Sequence, residues 1–232
     1  SHDLCSGGIG GAKAIMKPFV TGFSKVMGRS KSSSRWLNEH FSDPFVRKAQ
    51  TEGMRSRAAY KLEELLEKDC LLKPGMVVVD LGSAPGGWSQ VAQDWLKGRG
   101  RVVALDILPM DPLPGVEFIL GDFTDDRVLS ELEKLLGEAK VDLVLSDMAP
   151  NFSGVATVDQ ARSMVLAEMA LDFACAHLRR GGAYLVKLFQ GTEFDQYVKV
   201  LRTKFDKVNL RKPKASRDRS REVYALATGF KV

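Results

Sequence analysis

A glycine-rich turn between a strand and a helix, over residues 77–88, constrains the fold of this chain more than any other feature. Residues 77–81 are aliphatic and mostly β-branched apart from one aspartate, which favours a buried strand. Gly82, Gly86 and Gly87 then allow the chain to turn sharply and bring backbone N–H groups close to a ligand. A helix that begins at this turn would aim its N-terminus at that ligand. A purely structural turn between strand and helix explains the glycines about equally well.

The turn does not match the dinucleotide-binding fingerprint, which would need glycine where this chain has Ala84. Asp106 and Asp122 follow the next two apolar runs, so we expect both at the carboxyl ends of adjacent parallel strands, where α/β sheets bind ligands. Asp106 is predicted to accept hydrogen bonds from ribose hydroxyls and Asp122 from an adenine amino group. Capping of a following helix is the alternative role for each aspartate. Their recurrence after a glycine turn favours a nucleoside site.

The order of the predicted elements indicates the α/β class. Helices are predicted near residues 42–51, 56–68, 88–97, 126–137, 160–178 and 193–204, and strands near 76–81, 101–106, 116–120, 141–146, 182–189, 206–211 and 223–228. Strands that alternate with helices of this length predict a doubly wound sheet of seven mostly parallel strands. The link between the last two strands has no room for a crossover helix, so the last strand is predicted to run antiparallel to its neighbour.

Length and composition fit one domain with an extension. The 232 residues suffice for a single core, and a net charge of +5 indicates an acidic partner. Residues 1–30 are predicted to be a flexible leader and residues 31–232 a single domain. Met27 is a plausible natural start, which makes residues 1–26 an upstream or non-native segment, with a transit peptide as the competing interpretation.

Cysteine and histidine usage excludes several classes of protein. The three cysteines and three histidines show no metal-ligand spacing, so no metal site is predicted. Scattered free cysteines are typical of the reducing cytoplasm, which is the expected location. No apolar run reaches membrane-spanning length, and no heptad repeat or apolar stripe suggests self-association, so we expect no membrane contact and a monomer.

Charged residues fall at the ends of predicted strands. Lys187 lies near the end of an apolar strand, where an ammonium needs partners unless it extends into solvent. Asp147 follows the strand at 141–146, and Glu222 begins the last strand. If that strand is antiparallel, all three residues meet at one edge of the sheet. Lys61 borders the apolar face of its helix, and the pattern alone fits a solvated lysine equally well.

Six motifs in the chain resemble the FtsJ/RrmJ family of ribosomal RNA large-subunit 2′-O-methyltransferases, which use S-adenosylmethionine. They lie at residues 34–37, 55–58, 80–88, 146–151, 186–191 and 220–224, within a match that runs from about residue 32 to residue 228. The resemblance implies a Rossmann-like methyltransferase fold and a catalytic role for the domain at 31–232. It further implies methylation of a uridine ribose in the A-loop of 23S ribosomal RNA within the large subunit.

The resemblance also assigns site residues. It places the family's catalytic K-D-K-E tetrad on Lys61, Asp147, Lys187 and Glu222. The S-adenosylmethionine contacts that it implies are Gly86, Trp88, Asp106, Asp122 and Asp147. Methyl transfer to a hydroxyl requires that the hydroxyl lose its proton, and we hypothesise that Lys187 takes or steers it. Lys61 and a bound sulfonium favour a neutral Lys187, whereas Asp147 and Glu222 favour a charged one, so both roles stay open.

A basic run next to Glu222 is predicted to bind RNA phosphates. The proposed patch consists of Arg55, Arg57, Arg211, Lys212, Lys214, Arg217, Arg219 and Arg221. Runs of charge are more often solvated faces, but the position of this run beside the predicted catalytic edge favours a phosphate-binding track.

Other functions remain to be distinguished from this one. A related enzyme that methylates transfer RNA or a messenger cap would share the tetrad. Amino-group methylation is disfavoured because residues 147–150 read Asp-Met-Ala-Pro rather than the Asn/Asp-Pro-Pro-aromatic pattern. A dehydrogenase is disfavoured by the missing fingerprint. A non-catalytic RNA-binding assembly factor is disfavoured by the intact set of four charged residues.

Overall fold

A seven-stranded sheet forms the centre of the protein in the computed structural model, which describes residues 43–217 and 219–232. The predicted leader at 1–30, the start at Met27 and the motif at 34–37 lie outside the described residues. The helices are α1 (Pro44–Glu52), α2 (Ala59–Asp69), α3 (Gly87–Leu96), α4 (Asp126–Leu136), α5 (Ala156–His177) and α6 (Phe194–Lys204). The strands are β1 (Val77–Leu81), β2 (Arg101–Asp106), β3 (Val116–Leu120), β4 (Val141–Ser146), β5 (Leu178–Phe189), β6 (Phe205–Arg211) and β7 (Glu222–Phe230).

The strand order is β3-β2-β1-β4-β5-β7-β6. Strands β1 to β5 are paired in parallel, and β7 runs antiparallel to both β5 and β6. The predicted mostly parallel sheet with an antiparallel last strand is therefore confirmed. Because β7 is reversed, its first residue Glu222 pairs with Phe189 at the end of β5. The start of β7 thus lies at the same edge as the carboxyl ends of the parallel strands.

Two apolar layers enclose the sheet, which explains why the central strands read as almost continuous aliphatic runs. Val78 faces the layer formed with α2 and α3, and its neighbour Val79 faces the layer formed with α5 and α6. Both valines are fully buried. Alternate residues of one strand therefore fill different cores.

The largest differences from the predicted boundaries are at the starts of β5 and α5. Strand β5 begins at Leu178 rather than near residue 182, with a register shift between the pairs Val141–Leu178 and Leu143–Ala183 that leaves residues 179–182 unpaired with β4. Helix α5 begins at Ala156 rather than near residue 160. None of the helices in the described part of the chain combines the length and the apolar character that crossing a membrane demands.

Candidate active site

The carboxyl ends of three central strands are tied together by backbone hydrogen bonds. The N–H of Gly82 donates to the Leu105 carbonyl over 2.9 Å, and the N–H of Asp147 donates to the Leu81 carbonyl over 3.1 Å. These bonds place the first residues after β1 and β4 side by side at the end of β2. The sheet edge that the sequence predicts as a site is therefore a single rigid surface.

Gly82 occupies a position that only glycine fits. Its φ is +79°, and a Cβ atom there would lie 2.8–2.9 Å from the Cγ, Cα and N atoms of Met148. A positive φ is strained for other residues, and the contact with Met148 backbone leaves no room for a methyl group. The turn after β1 can thus pack directly against the segment after β4.

A cavity of about 710 Å³ opens at this edge of the sheet. Its walls are largely apolar, and Ile107 and Leu108 expose about 60% of their surface there (61% and 60%). The lining also includes the backbone of the turn and a small number of acidic side chains. Residues that line the cavity include Gly82, Ala84, Asp106, Asp122, Phe123, Asp147, Met148 and Val165. Apolar walls with a few placed polar groups are typical of sites for small organic ligands.

The two aspartates predicted to bind a nucleoside both line this cavity. Asp106 is largely buried, and its carboxylate accepts hydrogen bonds from the N–H groups of Ala84 and Leu108, each over 2.8 Å. Asp122 is exposed and accepts from the N–H and the hydroxyl of Thr124. Neither caps a helix, because the cap of α4 is Asp125. Each carboxylate oxygen has two acceptor sites, so both groups retain capacity toward a ligand.

Gly86 and Trp88, also predicted as cofactor contacts, are not among the residues that line the cavity. The Trp88 side chain is 2% exposed, and its Nε1 donates to the Ala58 carbonyl over 2.8 Å. Gly86 allows a close approach of a different kind, because a Cβ there would lie 2.8 Å from the Met110 sulfur. Of the turn glycines, the structure brings Gly82 to the cavity, while Gly86 lets α3 pack against its neighbours.

The four residues of the predicted tetrad meet as two acid–amine pairs. Lys61 Nζ donates to Glu222 Oε1 over 2.6 Å. Lys187 Nζ lies 3.1 Å from Asp147 Oδ1 and donates to the Asp147 carbonyl oxygen over 2.5 Å. Only 9% of the Lys187 side chain and 11% of the Lys61 side chain are exposed. Neither lysine extends into solvent, because each has a carboxylate partner at the sheet edge.

Tyr224 joins the two pairs, and no role had been predicted for it. Its hydroxyl accepts a hydrogen bond from Lys61 Nζ over 3.2 Å and donates to Asp147 Oδ1 over 2.9 Å. Burial, with the nearby charges of Asp147 and Glu222, raises the Tyr224 pKa well above its usual value, so the hydroxyl keeps its proton. The available signal was alternation along β7, which puts Tyr224 on the same face as Glu222.

The charge state of Glu222 follows from its lysine partner. Burial alone would raise the pKa of this carboxyl, but the charge and hydrogen bond of Lys61 outweigh burial and lower it. Glu222 is therefore ionised at neutral pH. The Lys61–Glu222 pair is a true ion pair beside a neutral tyrosine.

A buried aspartate that the predictions omitted lies beneath the glycine turn. Asp80 is fully buried at the end of β1, and its Oδ2 accepts the Ser89 hydroxyl over 2.7 Å. Burial raises the Asp80 pKa to about 7, and the negative charges of Asp147 and Asp106 add to this rise against the effect of the Ser89 hydrogen bond. A buried ionisable group is thus electrostatically coupled to two carboxylates that line the cavity.

Members of the predicted basic patch are held by the fold, and those near the start of β7 also surround a cavity, since Arg57 and Arg217 lie 3.1 and 3.7 Å from the Asp43 carboxylate. Several of its members are engaged with the fold: Arg55 donates to the Pro112 carbonyl, Arg211 pairs with Asp69 at 3.1 Å, Lys212 donates to the Ser220 carbonyl and Arg221 to the Gln190 carbonyl. Others surround a second cavity, of about 550 Å³, which we call the arginine pocket. It is lined by Arg57, Lys61, Arg217, Arg219, Ser220 and Glu222.

No cluster of three or more His, Cys, Asp or Glu side chains suited to hold a metal ion occurs within residues 43–217 and 219–232. The chemistry of the described site rests on carboxylates, ammonium groups and one phenol. Such groups can orient a hydroxyl and move its proton.

Comparisons with known proteins identify the family of the chain. Residues 54–230 match a family model described as FtsJ-like methyltransferase. A ribosomal RNA large subunit methyltransferase E of Stenotrophomonas maltophilia (strain K279a) is 69% identical over 201 residues, which cover 87% of this chain and 96% of that protein. A protein of the same name from Xanthomonas campestris pv. campestris (strain B100) is 66% identical with the same coverage.

Solved structures show the same architecture. A crystal structure described as that of a ribosomal RNA methyltransferase from Plasmodium falciparum superposes with a TM-score of 0.69 at 33% identity, covering 76% of this chain and 98% of that one. A fibrillarin/Nop5p complex matches with a TM-score of 0.51 at 18% identity, covering 73% of this chain and 81% of that one, a likeness of fold alone.

Proposed function

The chain belongs to the FtsJ-like methyltransferase family, and we propose that it transfers a methyl group from S-adenosylmethionine to a uridine ribose 2′-hydroxyl in 23S ribosomal RNA. The proposed target is the A-loop of the large ribosomal subunit. The observation that carries this proposal is the position of Lys187 Nζ, 3.1 Å from Asp147, a residue that also lines the apolar cavity. Asp147 therefore both holds the amine that is proposed to handle the proton and lines the proposed ligand site.

The cavity fits the nucleoside part of S-adenosylmethionine. Apolar walls suit an adenine ring, and Asp106 and Asp122 present carboxylate oxygens to ribose hydroxyls and an exocyclic amino group. Gly86 and Trp88 lie at the start of α3, so any contact that they make with the cofactor comes from their backbone. The bound cofactor supplies a methyl group made electrophilic by its sulfonium.

Lys61, Asp147, Lys187 and Glu222 are the proposed catalytic residues. The Asp147 carboxylate and carbonyl both hold Lys187 Nζ, which fixes where a ribose hydroxyl can meet it. Lys187 then takes or steers the hydroxyl proton as the oxygen attacks. Lys61 and Glu222 lie on the other side of the proposed ribose position. The Tyr224 hydroxyl contacts both acid–amine pairs and so holds them in place relative to each other. Most of the rate gain is expected from this alignment of hydroxyl and methyl donor.

Ribosomal RNA as the substrate is supported by relatives with 66–69% identity that carry the name ribosomal RNA large subunit methyltransferase E. The basic patch at residues 211–221, with Arg55 and Arg57, gives an anionic substrate a route to the tetrad. We further propose that residues 31–232 form a single catalytic domain that acts as a cytoplasmic monomer.

The test is a methyl-transfer assay with radiolabelled S-adenosylmethionine on large ribosomal subunits that lack the modification, alongside free 23S RNA and transfer RNA. We expect label on the subunit, and mass spectrometry of nuclease fragments should place it on the 2′-oxygen of an A-loop uridine. Label on a base, or on transfer RNA alone, would contradict the proposed substrate. Subunit binding without methyl transfer would indicate a non-catalytic assembly factor.

A further inference from the structure

We propose that Phe152 and Phe189 form a stacking surface for the base of the target nucleotide, and so hold the ribose 2′-hydroxyl beside Lys187. We call this pair of rings the aromatic corner. The inference rests on the proposed function, because it names the part of the substrate that meets the two rings. Neither phenylalanine belongs to the basic patch, and neither lines the apolar cavity or the arginine pocket.

The two rings meet at a right angle. Their centroids are 5.8 Å apart, and the angle between their planes is 89°. Phe152, in the loop after β4, exposes 60% of its surface, and Phe189, the last residue of β5, is half-buried. Edge-to-face packing is a favourable arrangement of aromatic rings, yet it leaves most of the Phe152 surface uncovered. A planar group that stacks on this surface would extend the same packing.

The start of α5 holds the backbone at both phenylalanines. The N–H and the hydroxyl of Ser153, the residue after Phe152, each donate to Asp159 Oδ1 over 2.7 Å. Gln160 Nε2 donates to the Phe189 carbonyl over 3.0 Å. Consecutive residues of one helix therefore fix the positions from which the two rings extend. A ring presented in this way loses little conformational freedom when a ligand stacks on it.

The aromatic corner lies next to the proposed proton-handling amine. Lys187 and Phe189 are two residues apart in β5, so their side chains share one face of the strand. Lys187 Nζ lies 6.0 Å from the centre of the Phe189 ring. In a nucleotide, the base is attached to the ribose carbon next to the one that carries the 2′-hydroxyl. A hydroxyl held at Lys187 therefore brings its own base within reach of the corner.

The chemistry of the corner favours a base over other parts of the reactants. Its side chains carry neither charge nor hydrogen-bonding groups, so they offer nothing to a phosphate or to a carboxylate. Every nucleobase has a flat π face that stacks on aromatic side chains. In the proposed function the cofactor adenine occupies the apolar cavity, which leaves the target base for the corner. Bases that are turned out of an RNA loop are recognised by stacking of this kind.

Photocrosslinking tests this contact directly. An RNA hairpin with the A-loop sequence and 5-iodouridine at the target position is irradiated with saturating full-length protein, since 5-iodouracil crosslinks to aromatic side chains on which it stacks. Mass spectrometry of the crosslinked peptides should place the base on Phe152 or Phe189. Crosslinks to other residues alone, or none, would overturn the proposal.

Substitutions of the exposed ring separate stacking from apolar packing. With large subunits as substrate, Phe152→Ala should lower kcat/KM about 10-fold, the size expected for one lost base–aromatic stack. Phe152→Trp should keep the activity, whereas Phe152→Leu should not, because leucine restores apolar volume without a flat π face. Leu210→Ala, at an exposed apolar position on β6, is the control and should react as the unmodified protein does. Full activity of Phe152→Leu would contradict a stacking role.

Cofactor binding and activity together distinguish this inference from the proposed function. Calorimetry should show unchanged S-adenosylmethionine affinity in Phe152→Ala, and a 10-fold loss would place the ring against the cofactor and overturn the proposal. Unaltered kcat/KM in Phe152→Ala would refute the corner while leaving the enzyme assignment intact. A crosslink to Phe152 in a protein without methyl-transfer activity would support the corner and refute the proposed function. Crosslinking of the unmodified protein stands even if a variant fails to fold.

Discussion

The two cavities at the edge of the sheet differ sharply in character. The larger, of about 710 Å³, is walled by apolar side chains and carries carboxylates, whereas the arginine pocket, of about 550 Å³, is lined mainly by cations. Asp147 belongs to the first and Glu222 to the second, and Tyr224 lies 2.9 Å from Asp147 and contacts the lysine partner of Glu222. The tetrad thus stands between two unlike recognition surfaces.

The contrast suits an edge that binds two reactants of opposite character, as the proposed function requires. A carboxylate-bearing, apolar cavity repels a polyanion and accepts the uncharged rings of a nucleoside. A cationic pocket attracts a phosphate backbone and raises its local concentration. In the proposed function, electrostatics therefore assign the nucleoside to the apolar cavity and the RNA to the cationic pocket, with the tetrad between them.

Loss of the Lys187 amine should have the largest effect on methyl transfer. Lys187→Ala removes the group that is proposed to handle the hydroxyl proton, so we expect kcat for methyl transfer to fall by at least about 100-fold. Calorimetry should show retained S-adenosylmethionine binding, since Lys187 is not part of the apolar cavity lining. Lys199→Ala, at an exposed position on α6, is the matched control and should keep full activity. Near-normal turnover of Lys187→Ala would remove this lysine from the mechanism.

A substitution at Asp106 is the most direct test of cofactor binding in the apolar cavity. Asp106→Ala should weaken S-adenosylmethionine binding by roughly 10- to 100-fold, because a hydrogen bond to a charged group contributes about 1.5–3 kcal/mol. The melting temperature should also fall, since Asp106 holds the N–H groups of Ala84 and Leu108. Asp195→Ala, which removes an exposed carboxylate on α6, serves as the control in the same titration. Unchanged cofactor affinity in Asp106→Ala would place the nucleoside elsewhere.

The buried carboxyl group of Asp80 should make the free energy of unfolding depend on pH. Because the folded-state pKa of Asp80 is raised from 3.8 to about 7, the folded protein binds more protons than the unfolded chain between these values. The contribution of Asp80 to the free energy of unfolding should therefore fall as pH rises from about 4 to about 7. In Asp80→Asn this part of the pH dependence should be missing from urea-unfolding curves. Parallel profiles for the two proteins would show that Asp80 does not titrate in this range.

The smallest effect is expected within the basic patch. Arg211→Gln breaks a partly exposed ion pair with Asp69, so we expect a loss of about 1 kcal/mol or less in the free energy of unfolding. Arg217→Gln should instead reduce the slope of log affinity against log salt for RNA by about one. Arg211→Gln should change that slope by less. A larger change of slope in Arg211→Gln would contradict the division between structural and substrate-binding cations.

Most of the architecture could be read from local patterns. Strands β2, β3 and β4 have the predicted bounds. Strands β2 and β4 are almost completely buried aliphatic runs, which are easy to recognise, and the edge strand β3 is a short, mostly apolar run that ends at Gly121. The early start of β5 differs from the prediction because its two arginines and two glycines resemble a loop, and these four residues lie in the irregular stretch between the Leu178 and Ala183 pairings with β4. The early start of α5 escaped prediction because Asp159, inside the helix, binds the N–H groups of Ser153 and Gly154.

The candidate site was predictable only in part. The chain's own residues placed Asp147, Lys187 and Glu222 at one edge once the last strand was taken as antiparallel. Lys61 came from the family resemblance, since a lysine beside an apolar stripe fits solvent equally well. Tyr224 and Asp80 were missed because their importance depends on partners that are 77 and 9 residues away in sequence.

Local patterns predicted the order of strands and helices and the edge at which charged residues meet, because side-chain periodicity and short connections are properties of neighbouring residues. The tertiary structure alone decided which glycine approaches the cavity, that Tyr224 links the two acid–amine pairs, and which arginines are bound to the fold. Long polar side chains find their partners through contacts between distant segments, and no local pattern encodes the distance between those segments.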